Sequence, residues 1–454
     1  MSQRSRVQDT NIRNASTPQL PPALNSRSIN SAVDAILDLH ERRQAKRRRY
    51  SSLPPQDDDI NVDSHSPILD EFVRTRSISI VADLKNFSLA EFGILWSEIR
   101  QYIQRHWNVG PGCKNKTTPK DMLFMALTFL MHGGSWDVIA ALFKLKSSTF
   151  SKSITGFIRT IHPHLMQGFV TAVAEKWSML RLVTTGHQFQ NFPHARYTVD
   201  CTFQQTHIPL GSFGSKKSYF SKKHGLYGVK IEVSVLPNGF AIGVTPCAKG
   251  SVADIAVFES NEDFHRSQLA KQNDESNIRD DGPLVEIFSN QWIVLADKGY
   301  QGLANRLRAV TPVKRLPGSI LSMEHEQLNA DIATDRVIVE NYFGRLKTLW
   351  SVANDIYSWK RENYDMFIQT CIALTNVHIR FLPLRSDDGQ NYNQYINRLM
   401  AIGAKMVEKR ASTTQKYLRK RKPRLDSIIP NLENAYDDGD SDNSALGDDS
   451  GIFD

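Results

Sequence analysis

The sequence predicts a mixed α/β domain preceded by an all-helical region, with polar, charge-rich ends. Three observations carry that prediction. From about Leu84 to His164 the apolar residues recur at three- and four-residue steps, the period of helices. From Arg196 onward short β-type runs alternate with helical ones, the pattern of strands of one sheet mixed with helices. Up to residue 80, and again after about residue 425, periodic apolar content is scarce, as in disordered chains. The expected division is therefore a basic arm over 1–80, helices over 84–165, the α/β domain over 190–385, a basic helical extension over 386–425 and an acidic tail over 426–454.

Composition bounds the function before any motif does. The 454 residues carry a formal net charge of +8, which favours a polyanionic partner. The four cysteines, Cys113, Cys201, Cys247 and Cys371, lie far apart and form no Cys-x-x-Cys pair, so neither a zinc ribbon nor a disulfide framework is expected. The longest apolar stretch, Met122–Met131, is too short to cross a bilayer, which needs about 20 residues, and residues 1–49 lack the apolar core of a signal peptide. No membrane partner is expected.

Within the helical region, Phe92–Trp107 has a helical apolar stripe, and a second helix opens at Pro119 and stops at Gly133-Gly134. Ser135–Ile161 reads as two helices broken at Lys144–Ser148, with Ser148 as N-cap of the second. That is the layout of a helix-turn-helix offering Thr149, Ser151 and Lys152 near the start of the second helix. A helical bundle with ordinary short loops shares the pattern. Two basic clusters flank the chain: Glu41–Tyr50, with Arg47, Arg48 and Arg49, and Lys416–Arg424. Each reads as a phosphate-binding arm or a nuclear import signal, or as the solvated end of a helix.

In the α/β region, Ala195–Phe203 is a strand, and Tyr227–Cys247 is a hairpin turning through Pro237-Asn238-Gly239. Gln291–Tyr300 is a third run, and Arg308–Lys314 is an edge strand because of Pro312. Two acids stand where strand runs give out, Asp200 after Arg196–Val199 and Asp297 after Trp292–Ala296. Carboxylates at strand ends are where α/β sheets hold ligands, although an aspartate there also caps turns. A third acid, Glu340, edges the helical stripe of Val339, Phe343, Leu346 and Trp350, on the side of Arg336 and Lys347. An i,i+4 ion pair with Arg336 would explain it without chemistry. Three oxygen ligands from two strand ends and a helix suit two Mg²⁺ or Mn²⁺ ions, which prefer carboxylate and water over His or Cys. The thirteen histidines show no zinc spacing, and His162 and His164 read as surface or turn residues. Asp254 fits a capping box with Ser251, which leaves it in support of the site rather than in it.

The segments Tyr197–Phe203, Tyr219–Gly239, Lys249–Asp254, Leu295–Gly302 and Asp335–Lys347, in this order, resemble the DDE endonuclease domain of PIF/Harbinger-like and IS5-like transposases, a group that includes Harbinger-derived nucleases. The resemblance spans about Arg196 to Leu382. It implies an RNase H-like fold whose three acids, falling here on Asp200, Asp297 and Glu340, bind two divalent ions and cut DNA at transposon ends. Asp297 and Glu340 stand 43 positions apart, within the family's range. Two departures stand out: Cys201 follows the first acid where the family often has glycine, and the polar stretch Ser260–Pro283 reads as an insertion or a loop on the DNA. The resemblance implies double-stranded DNA as partner; the residues expected to meet it are the basic arms, Ser151 and Lys152 of the helix-turn-helix, and Arg336 and Lys347. It further raises a second copy of the chain and a separate Myb-like DNA-binding protein as partners, and the nucleus as the place of action. The alternative is a domesticated, catalytically silent DNA-binding protein of the same fold.

Overall fold

The computed structural model describes residues 66–75, 78–210 and 212–426. Arg47, Arg48, Arg49 and the acidic tail lie outside the described residues.

The helical region comprises α1 (Pro67–Thr75), α2 (Ile78–Asp83), α3 (Leu89–His106), α4 (Pro119–His132), α5 (Trp136–Leu142) and α6 (Ser147–Met166). Local chemistry sets these boundaries. Ser88 and Glu91 form a reciprocal capping box at the start of α3. Thr118 caps α4 with Pro119 in its first turn, and Gly133, at φ +61°, ends it. Every residue of α4 from Asp121 to Met131 is buried, so this helix is an axis of the core rather than an amphipathic surface. The break between α5 and α6 falls where expected, with Lys144 at φ +54°. Ser148 is not the cap, however: α6 begins at Ser147 and no side chain caps it. His162 and His164 lie inside α6 rather than in a turn. His162 Nε2 meets Gln369 Oε1 at 2.9 Å, and the His164 ring stacks on Tyr102.

A π-helical turn (Gln167–Thr171), α7 (Ala172–Lys176) and α8 (Met179–Thr184) lead into the sheet. Its strands are β1 (Ala195–Gln205), β2 (Phe220–Ser221), β3 (Leu226–Val235), β4 (Ala241–Val244), β5 (Ala248–Lys249), β6 (Ile293–Leu295) and β7 (Ala309–Val310), with α9 (Phe213–Lys217) between β1 and β2. The order is β2-β3-β1-β6-β7, with β4 and β5 also on β3. β1 pairs antiparallel with β3 and parallel with β6, and β7 is the parallel edge strand. The β3–β4 hairpin turns at Asn238-Gly239, where Gly239 sits at φ +89°. Helices α10 (Asp254–Glu259), α11 (Glu262–Leu269), α12 (Met323–Leu349), α13 (Ser351–Asn354), α14 (Tyr364–Phe381) and α15 (Ser386–Asp426) flank this mixed sheet.

One apolar core runs from Leu69 through α3, α4 and α6 to Phe203, Ile231, Phe343, Ile372 and Leu399. The helical region and one side of the sheet therefore share packing. A second core, built on Tyr197, Val199, Phe258, Trp292 and Val294, fills the space beneath α10 and α11. The stretch Ser260–Pro283 is not a loose loop: it contains α11, and the buried Glu275 accepts bonds from Met179 N–H (2.6 Å) and Trp292 Nε1 (2.7 Å). Among the described residues no helix is long and apolar enough to cross a membrane.

Candidate active site

Asp200 does not end its strand. β1 runs on to Gln205 against β3, but its other neighbour, β6, stops at Leu295 opposite Thr198. Two residues past that register point on the two strands stand Asp200 and Asp297. The termination of one parallel neighbour opens the sheet edge at mid-strand, and both carboxylates sit at that opening. Asp297 leaves β6 with extended backbone at the head of the short 3₁₀ turn Lys298–Tyr300.

α12 crosses this edge. Val339, Phe343, Leu346 and Trp350 are wholly buried, as the stripe predicts, and Glu340 emerges half-buried beside them. Asp200, Asp254, Asp297, Arg336 and Glu340 line one open cavity of about 220 Å³. Four carboxylates spread over 140 positions of sequence are thus gathered in one cavity.

Arg336 does not pair with Glu340. Its Nη2 donates to Asp200 Oδ2 at 3.1 Å and its Nη1 to Asp297 Oδ1 at 3.3 Å. It is nearly buried, which corrects its expected place among DNA-contacting residues: it is the counter-cation of the two aspartates. Lys347 is corrected for the same reason. Its ammonium is buried, donates to Ala353 O at 2.7 Å and lies over the Tyr395 ring. Burial pushes its pKa down to about 7.

Asp254 is corrected too. It is the first residue of α10, Ala253 holds the cap position without a side-chain bond, and the Ser251 hydroxyl donates to Ser218 O instead. Released from capping, the Asp254 carboxylate faces the cavity and accepts from Lys230 Nζ at 2.7 Å. Lys230, Lys223 and His224, and Tyr392, Asn393 and Ile396 from α15, also line it. Sequence periodicity gives no sign of these: α15 reads as an extension beyond the domain, yet its first turns are a wall of the cavity. Ser151 and Lys152 lie elsewhere, in a groove between α6 and the Trp359–Asn363 loop, with Lys152 exposed.

The electrostatics are those of a site short of positive charge. Burial raises the Asp200 pKa to about 7; Arg336 opposes the rise and Asp297 adds to it. Burial also raises Glu340, again opposed by Arg336 and reinforced by Asp297. With Arg336 between the aspartates, no three carboxylate, His or Cys side chains among the described residues stand ready to share an ion. The donor chemistry nonetheless suits a hard divalent cation, since the converging ligands are oxygens and one guanidinium does not satisfy them.

Residues 199–376 match the family model described as DDE superfamily endonuclease. The chain is also 26% identical over 153 residues, 34% of its length, to a protein of Microchaete diplosiphon described as a probable transposase for insertion sequence element IS702. It spans about half, 47%, of that curated relative. No solved structure matches. The segment similar to the DDE superfamily endonuclease family starts one residue before Asp200 and takes in Asp254, Asp297 and Glu340.

Proposed function

We propose that this chain is a metal-dependent DNA nuclease of the transposase type, with Asp200, Asp297 and Glu340 as its catalytic acids. The observation that carries the reading is the gathering of these three distant carboxylates in one cavity around a single guanidinium. Asp200, Asp297 and Glu340 would hold two Mg²⁺ or Mn²⁺ ions, with Asp254 close by. When bound, such ions polarise a phosphoryl oxygen and make an attacking water or 3′-hydroxyl acidic enough to act at neutral pH. The chain's own residues do the rest. Arg336 offsets the aspartates' repulsion in the metal-free chain, and the Asp254–Lys230 pair fixes one wall of the cavity. The substrate in this reading is double-stranded DNA at transposon ends, with strand joining after cleavage, as in the PIF/Harbinger-like group. A second copy of the chain and a Myb-like protein are the partners to seek, and the nucleus the compartment, with Arg47–Arg49 as import signal or DNA arm.

The test is nicking of supercoiled plasmid by the full chain. Nicking in Mg²⁺ or Mn²⁺, its loss in EDTA and its loss in Asp297→Asn are expected. Nicking that survives EDTA or Asp297→Asn would refute the assignment. A chain that binds DNA and nicks none under any condition would be the silent DNA-binding protein instead.

A further inference from the structure

Between Asp200 and Glu232 the chain runs through residues 201–231 without one acidic side chain, while carrying five lysines. Four of these flank an aromatic pair in Lys216–Lys223, whose sequence is Lys-Lys-Ser-Tyr-Phe-Ser-Lys-Lys. The fold sets this stretch on the rim of the acid cavity, where Ser221, Lys223 and His224 are among the lining residues.

The rim is held firmly. Gly225 N–H donates to Ser221 O at 2.9 Å, closing a tight turn with Lys222 and Lys223 at its tip. Ser221 Oγ meets His224 Nδ1 at 2.9 Å, and the His224 ring lies flat on Phe203, 4.3 Å between centroids. α15 crosses directly over the turn. Gly403 permits this, because a Cβ there would fall 1.9 Å from His224 O. Lys222 and Lys223 are exposed, and among the described residues neither makes an ion pair.

Cations from other elements reach the same rings. Arg361 and Lys249 lie over Tyr219, at 4.5 and 5.6 Å from its centroid. Arg410, from α15, lies 5.4 Å from both Phe220 and Tyr227. Solvation explains scattered surface lysines. It does not explain cations from three separate segments converging on three aromatic rings of β2, its approach and β3. The acids of the cavity repel phosphate, so a strand laid across the cavity needs its cation contacts on the rim.

We infer that the Lys216–Lys223 turn, with Arg410 and Arg361, is a phosphate clamp that holds the backbone of duplex DNA across the acid cavity. The inference rests on reading that cavity as a DNA nuclease site. Contacts of this kind fix register and orientation and carry no base sequence.

The experiment is fluorescence anisotropy of the full chain with a labelled generic duplex in EDTA, where cleavage contributes nothing. Lys222→Gln/Lys223→Gln should bind more weakly and with a flatter salt dependence. With two phosphate contacts gone, the wild-type advantage should shrink roughly tenfold between about 50 and 200 mM salt, equally for unrelated sequences. In Mn²⁺ the double variant should need more DNA to reach its maximal nicking rate, a rise in KM. Its melting temperature should match wild type, since both side chains are exposed. If it does not, Arg410→Gln repeats the slope test from a different element with one contact removed. Wild-type affinity and slope in these variants would overturn the clamp and leave the rim to an acidic partner such as the chain's own Asp-rich tail, with the nuclease reading intact. Conversely, a wild-type chain that binds with this slope and never nicks would sink the nuclease reading and spare the clamp.

Discussion

Two carboxylate clusters in the sheet region use the same chemistry with opposite balance. At Asp280 one carboxylate is surrounded. Arg308 binds it through both terminal nitrogens, Nη2 at 2.9 Å from Oδ1, while Lys271 Nζ lies 2.7 Å from Oδ2 and Gly282 N–H donates at 3.1 Å. Arg308 is itself fully buried, and its remaining donors reach Pro283 O and Gln291 O. Burial pushes the Asp280 carboxyl up, yet Arg308 and Lys271 hold it well below the usual carboxylate range. At the candidate site the ratio is inverted: Asp200 and Asp297 share one guanidinium, Glu340 stands beside them, and Asp297 is 41% exposed. The first cluster closes all its charges and offers a ligand nothing. The second keeps a deficit of positive charge in an open cavity, which a hard cation can fill. A shifted pKa alone would mark both; its direction, with access, separates them.

The largest expected effect breaks the open cluster. Glu340→Gln keeps the shape and removes one ligand charge. Plasmid nicking in Mn²⁺ should fall by about two orders of magnitude or more, because ligand charge supports several kcal/mol of transition-state stabilisation. Its melting temperature should hold or rise, since burial already disfavours the charge. Near-normal nicking would remove Glu340 from the site. Next comes the closed cluster. Asp280→Asn leaves Arg308 buried without its carboxylate and should cost about 3–5 kcal/mol in chemical denaturation, with nicking per folded molecule unchanged. The sign with pH follows from the lowered pKa. The ion cluster's stabilisation is fully present above the unfolded aspartate value, about 3.9, and is lost as pH falls through the lower folded value. The gap between wild type and Asp280→Asn should therefore be constant from neutral pH down to about 4 and close only below it. A gap that closes between pH 7 and 5 would mean that another group dominates. Smaller again, changing Ser151 and Lys152 in the groove beside Trp359 should alter preference between DNA sequences while total affinity moves about threefold or less. An unchanged preference would leave α6 a packing helix.

The fold class, the β3–β4 hairpin, the edge strand and the buried stripe of α12 were legible because each is a local pattern: a period, an Asn-Gly turn, a proline. Asp200, Asp297 and Glu340, which share one cavity, stand out in the sequence for a related reason, since each interrupts an apolar run. What periodicity could not show was partnership. Arg336 and Glu340 are four apart on one helix, which suggests a pair, yet the guanidinium reaches aspartates on β1 and beyond β6. Lys347 looks like a surface cation on a helix, but α15 packs over it. Asp200 looks like a strand terminus because sequence shows where one strand's apolar run weakens and not where its neighbour ends. These three facts depend on contacts between residues far apart in sequence.

A more modest expected effect on cleavage than that of Glu340→Gln concerns Asp254, whose spacing from Ser251 mimics a capping box that the fold does not use. It accepts from Lys230 at 2.7 Å, both side chains largely buried, and stands in the cavity with Asp200 and Asp297. As a wall-fixing residue, it gives an Asp254→Asn chain that loses an ion pair worth about 1 kcal/mol. Lys230 then rearranges, and nicking falls only about tenfold, as positioning losses do. Asp254→Ala and Lys230→Gln should show the same modest loss, because each breaks one pair. The measurement is nicking rate at saturating Mn²⁺ beside a melting curve for all three variants. If Asp254→Asn is as dead as Glu340→Gln while Lys230→Gln stays active, the carboxylate acts on the ions directly and the ligand set has four members. If all three variants lose nicking in proportion to lost stability, the pair is structural, and the open cluster ends at Asp200, Asp297 and Glu340.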